Sequence, residues 1–197
     1  MKYLSIILLF VSSTLTFAKD DLLHTQELSI KSGRYADVID LTAANLKDVF
    51  KDFKLVMGPG FSVVKPLMIS GTQAMPNFRA TLKKCVTIIC ETVDVDADLV
   101  ISEAQGSCAE NYYLKADLDK SGELLTNVYE YFFSVICVNP SPEGATATLK
   151  TYAARARGYS GGPIASTIKD FLRLQIAPLM SSLQRQLDEN IRVIEGN

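Results

Sequence analysis

The stretch "KADLDKSGELL" (115–125) has the residue types and spacing that hold a hard cation. Asp117, Asp119 and Ser121 alternate as the first ligands of an EF-hand loop do, and Gly122 stands at its turn position. Such a loop also needs a bidentate acidic residue at its twelfth position. Counting from Asp117, that residue is Val128. The flanks of a calcium loop are helices, whereas here both flanks alternate as strands. "DKSG" therefore reads as a hairpin turn with its glycine placed for a positive φ. The second acidic stretch, "DVDAD" (94–98), reads the same way, as an acidic turn. No metal and no cofactor is expected.

Catalytic chemistry has little to draw on. His24 is the only histidine, and it lies in the lead-in to the chain, where it reads as a solvated residue rather than the base of a triad. No catalytic residue is assigned, and the residues point away from an enzyme. Tyrosines 112, 113, 129, 131, 152 and 159 offer hydroxyl donors to a cavity. Arg155 and Arg157 share one face of a strand. A buried arginine facing a cavity suits a carboxylate or phosphate head group, and an exposed pair has no such role.

The remaining reactive side chains are Cys85, Cys90, Cys108 and Cys137. Their meaning depends on compartment. Lys2 is followed by the apolar run Leu4–Val11, and Thr16-Phe17-Ala18 places small residues where a signal peptidase reads. Residues 1–18 are expected to be a cleaved signal peptide, since the run is short for an anchor of about 20 residues. Residues 19–197 then form a single domain, exported to the periplasm or beyond the cell, with no integral membrane span after cleavage. An even cysteine count in an exported chain points to two disulfides. A hairpin centred between Lys120 and Ser121 sets Cys108 opposite residue 133, near Cys137, and leaves Cys85 and Cys90 to pair locally. A hairpin centred near Asp96 would instead set Cys85 opposite Cys108. Net charge is -2 with both signs interspersed, which argues against a nucleic-acid partner.

Glu27–Lys31 has the pattern of a first strand. Val38, Leu41, Val49 and Phe53 recur at helical spacing and predict a helix over 37–53, stopped by "GPG" at 58–60. A short strand is expected near Lys65–Ser70. Residues 78–93 fit a helix by Phe78, Leu82 and Val86, yet "CVTIICETVDV" is rich in β-branched residues. The expectation is a helical or irregular start giving way to strand. Leu99–Glu103 is a short strand, and Asn111–Leu118 is a strand with Tyr112, Leu114 and Ala116 on one face. Glu123–Val138 is a long strand apolar on both faces, which fits a central position. Ala145–Arg157 is the last strand. "GYSGGP" leads into a long amphipathic helix, Ile164 to about Ile194, with Ser160 or Gly162 at its cap and a kink at Pro178.

Strand, helix, antiparallel strands and one long C-terminal helix give an α+β, helix-grip order: an antiparallel sheet curved around the last helix. In "DVFKDFK", "NYYLKADLDKSGELLTNVYEYFFSVICV", "ATATLKTYAARARG" and "IASTIKDFLRLQIAPLMSSLQRQLDENI" the chain resembles the START-like superfamily of polyketide cyclases and lipid-transport proteins. The resemblance is one of architecture. It implies an apolar ligand, a hydrophobic small molecule or lipid, between sheet and long helix. Tyr129, Tyr131 and Phe133 of the central strand, with Tyr112 and Arg155, are the expected ligand-binding residues. The alternative is a filled core in a structural or interaction protein that works through its surface.

Overall fold

The computed structural model describes residues 20–118, 121–159 and 163–196. The signal segment expected at 1–18, Asp119 of the acidic turn, and the cap positions Ser160 and Gly162 lie outside the described residues. The element order is β1 (Asp21–Ile30), α1 (Tyr35–Ala44), α2 (Leu46–Val49), β2 (Phe61–Gly71), β3 (Pro76–Val86), β4 (Ile89–Glu103), β5 (Glu110–Asp117), α3 (Glu123–Thr126), β6 (Tyr129–Ser141), β7 (Gly144–Arg155) and α4 (Pro163–Glu195). The strands form one antiparallel sheet in the order β1-β7-β6-β5-β4-β3-β2. The sheet curls into a half-barrel around α4, and α1 and α2 carry the chain from one sheet edge to the other. This is the helix-grip α+β fold.

Helix α4 seats Ile168, Phe171, Ile176, Met180 and Leu187 in the core at helical spacing. It runs unbroken through Pro178. Two buried polar contacts fix its far half to α1: Asn190 donates to Thr42 Oγ1 at 2.8 Å, and Thr42 Oγ1 donates to the Val38 carbonyl at 2.7 Å. Gln184 holds the exposed edge of β1. It accepts from the Ser29 N–H at 3.0 Å and donates to the Ser29 carbonyl at 2.8 Å, so a side-chain amide occupies one residue of an edge that could otherwise template further strands.

Several expectations are corrected. Residues 78–93 contain no helix; they are the β3–β4 hairpin, and Leu99–Glu103 is only the end of the long strand β4. Phe78 and Leu82 are four apart, an even number, so one face of a strand collects them as well as one face of a helix would. "DVDAD" is not a turn but the middle of β4: Val95 and Ala97 point to the core, and Asp94, Asp96 and Asp98 point out. There Asp96 pairs with Arg79 at 3.0 Å, and Asn77 donates to both Asp96 and Asp98 at 2.8 Å. The helix expected over 37–53 breaks at Asn45, the C-cap of α1, whose backbone N–H and side-chain amide both donate to the Leu41 carbonyl at 3.1 Å. The strand expected over 123–138 starts only at Tyr129, because 123–126 is the single turn α3.

The connection between β5 and β6 is accordingly not a tight hairpin. Ser121 Oγ accepts from the Asp96 N–H at 3.0 Å and donates to the Asp96 carbonyl at 3.1 Å, while the Gly122 N–H bonds the Asp94 carbonyl. The loop thus docks along β4, and the two acidic stretches meet in space. Asp117 pairs with Lys115 at 2.6 Å.

The disulfides are Cys85–Cys90 and Cys108–Cys137, with Cα separations of 4.0 and 5.5 Å. The first closes the β3–β4 hairpin. The second ties the β4–β5 connection to β6 at a register different from the one expected, since Glu110 pairs with Val138. Two disulfides point to a non-reducing compartment. No helix among the described residues is long and apolar enough to cross a membrane.

Candidate functional site

Between the curled sheet and the first half of α4 lies an apolar cavity of about 220 Å³. Each strand from β2 to β5 sends its inward row to it: Leu67 from β2, Phe78, Ala80 and Leu82 from β3, Val93 to Leu99 from β4, and Leu114 and Ala116 from β5. Phe132 and Ser134 come from β6, and Ile168, Phe171, Leu172 and Leu179 from α4. Alternation at period two puts these residues on one face. Ser134 Oγ and Thr151 Oγ1 meet at 2.8 Å in the floor, and with Gln175 they are the polar side chains of the wall.

A second, smaller cavity of about 70 Å³ lies further along α4, against α1 and β7, and Phe50, Leu114 and Leu179 border both. Leu179 and Leu183 are half-buried rather than fully buried because they face this open space instead of packed atoms.

The segment between α2 and β2 covers one side of the main cavity. Phe53 and Leu55 face inward from it. Gln175 holds it to α4 at both backbone groups of Val56, accepting from the N–H at 2.8 Å and donating to the carbonyl at 2.7 Å. Phe61, at its end, stacks on Phe171 with ring centroids 4.4 Å apart.

A buried carboxylate outside the cavity wall joins β1 to α4. Asp21 receives Arg155 at 2.9 Å, Lys169 at 2.8 Å and the Tyr129 hydroxyl at 3.0 Å. Burial alone would raise its pKa. The hydrogen bonds from Arg155, Lys169 and Tyr129 outweigh that and hold the carboxyl well below the usual range. Burial, reinforced by Asp21, pushes the Tyr129 hydroxyl up, so it stays a neutral donor.

The expected ligand residues are scattered by this geometry. Tyr129 is fully buried but spends its hydroxyl on Asp21. A bulge between Tyr129 and Tyr131 splits the two, and Tyr131 lies on the outer face, where Lys115 sits 4.5 Å over its ring. Phe133 borders the cavity from the sheet, while its ring stacks between Tyr113 at 5.3 Å and Tyr152 at 5.0 Å. Tyr112 borders the smaller cavity and donates to Glu110 at 2.9 Å. Arg155 faces Asp21 rather than a cavity. His24 bonds Gln26 at 3.0 Å on β1. The wall residues that sequence pattern did not single out are Phe61, Gln175, Ser134 and the inward row of β4. The last was visible as the alternation inside "VDVDADL", hidden by its aspartates.

No family model matches the chain, and no curated protein matches it in sequence. Solved structures do resemble it. The di-domain ARO/CYC StfQ from the steffimycin biosynthetic pathway matches with a TM-score of 0.43 and 12% identity over 88% of this chain and 51% of that one. A Thalictrum norcoclaurine synthase point mutant in complex with a transition-state analogue gives 0.42 and 15% over 84% and 92%. Ara h 8.0201 gives 0.39 and 10% over 84% and 96%. This chain thus spans about half the length of StfQ. These are likenesses of fold.

Proposed function

We propose that this chain is a binding protein for a hydrophobic small molecule or lipid, exported after removal of residues 1–18, with the ligand held between the sheet and α4. The supporting observation is the apolar cavity of about 220 Å³. Protein interiors are close-packed, with few voids larger than a water molecule. The cavity's almost wholly apolar wall offers water few hydrogen-bond partners, whereas an apolar ligand fills such a space without loss. The bonded Ser134–Thr151 pair in the floor and Gln175 at the cover give such a ligand a small number of polar contacts, as ligand pockets typically have.

The test is native mass spectrometry of protein purified from its own host. A retained apolar mass, released by organic solvent, is the expected result. A bare chain that also takes up no single-chain amphiphile in calorimetry would favour a protein that acts through its surface.

A further inference from the structure

We infer that the ligand is a single-chain amphiphile with an anionic head group, and that Lys84 receives that head at the mouth of the cavity. The inference rests on the binding function proposed above and names its ligand class. It starts from β3. Phe78, Ala80 and Leu82 are the inward row of that strand, and the next inward residue is Lys84. A cation therefore ends an otherwise apolar row.

Lys84 is only 7% exposed. Lysine is almost never so buried without a partner of opposite charge, because removing an ammonium from water is costly. Here it donates to the Pro59 carbonyl at 3.1 Å and lies 4.5 Å over the Phe61 ring. An ammonium has three N–H donors. Among the described residues Lys84 makes no ion pair, and Glu91, its cross-strand neighbour, is exposed and does not bond it. Asp21 is the opposite case: that buried charge is met by two cations, whereas Lys84 has only a carbonyl and a ring face.

Lys84 is also placed where a head group would pass. Phe61 lines the cavity and is held between Lys84 on one side and Phe171 on the other, so the ammonium is one ring from the void. The covering segment runs close over it. Gly60 has φ +76°, and a Cβ there would lie 2.5 Å from the Cys85 carbonyl oxygen and 3.0 Å from Lys84 Nζ. The bond from Lys84 to Pro59 thus fastens the cover beside a cation able to hold an incoming anion. Releasing the cover frees the ammonium for a carboxylate. The cavity is smaller than the usual range of about 300–1,000 Å³ for drug-sized ligands, which suits one chain rather than two.

The experiment is calorimetric titration of the folded protein with decanoate, 1-decanol and decyltrimethylammonium, which share one tail and differ in head charge. The wild type should bind decanoate at least about tenfold more tightly than 1-decanol, the range of one charge-assisted hydrogen bond, and the ammonium most weakly. In Lys84→Met, decanoate should fall to the affinity of 1-decanol with the latter unchanged. Lys84→Arg should keep the preference. Equal binding of acid and alcohol by the wild type would overturn the role of Lys84 and leave the binding function standing. Loss of 1-decanol along with decanoate in Lys84→Met would overturn it too, marking Lys84 as a prop of the cover. If the wild type binds none of the three, the ligand class falls, and if the chain is also isolated bare, the binding function falls with it.

Discussion

Strand β6 presents apolar residues to both sides of the sheet, and the two sides are built differently. On the outer side the Phe133 ring stacks between Tyr113 and Tyr152, and Cys137 is bonded to Cys108, so rings and a covalent link close that surface. On the inner side Phe132 and Ser134 border a void, and Ile136 and Val138 border a smaller one. The same hydrophobic content is close-packed on one face and held apart on the other. The inner face is kept open by its surroundings: α4 is tied at Asp21, Val56, Ser29 and Thr42, contacts that fix its distance from the sheet. Apolar character on a strand therefore says that water is excluded, and not that space is filled.

The contrast is most directly broken by truncating one ring on each face. Phe133→Ala should cost about 3–5 kcal/mol in chemical denaturation, because it opens a cavity in a packed stack. Phe132→Ala should cost clearly less, since part of its surface already meets a void. Equal losses would mean that the inner face is as tightly packed as the outer.

The disulfides sharpen the contrast next. Cys108 and Cys137 are 29 residues apart, and Cys85 and Cys90 are 5 apart. Chain-entropy arguments give the long loop about 3.5 kcal/mol and the short one about 2. Replacing each pair with serine should lower the denaturation midpoint in that order. The reverse order would locate the main covalent support at the hairpin tip rather than on the outer face.

Asp21 tests the polar end of the inner face. Asp21→Asn should destabilise by about 3 kcal/mol, as removing one partner of a buried charge pair does. The folded carboxyl titrates well below its ordinary value of about 3.9. Its contribution is thus fully present above about pH 4 and is lost as pH falls further toward the folded value. Stability measured between about pH 2 and pH 5 should fall in wild type and be flatter in Asp21→Asn. Parallel profiles would show that this carboxylate does not anchor β1 to α4.

The smallest expected effect is the most diagnostic of open space. Ala97 is buried in the cavity wall. Ala97→Leu should change stability by no more than about 1 kcal/mol while weakening 1-decanol binding in calorimetry. A loss of about 1–3 kcal/mol, usual when extra methylenes enter a filled core, would show that the space is not there.

Much of this architecture was legible in local pattern. The stripe Ile168, Leu172, Ile176, Leu179, Leu183, Leu187 defines α4, because apolar residues kept at a 3.6 period over such a length line up on one side of a helix and on no single face of a strand. The alternation Tyr112, Leu114, Ala116 identifies the inward face of β5 for the same kind of reason. What was not legible was decided between distant elements. Which face of β6 looks inward depends on a bulge at Tyr129/Tyr131, where the register with β7 shifts, and both faces are apolar enough to serve. Arg155 has its partner at Asp21, a separation of 134 residues, so nothing local distinguished a ligand-facing guanidinium from a paired one. In the sequence Lys84 is one of two adjacent lysines, and only the strand puts it in line with Leu82 and brings the Pro59 carbonyl to it. The void is the extreme case. Periodicity reports how one segment's side chains point, whereas an empty volume is the mismatch between surfaces contributed by seven strands, a covering loop and a helix, and it exists only once their separations are set.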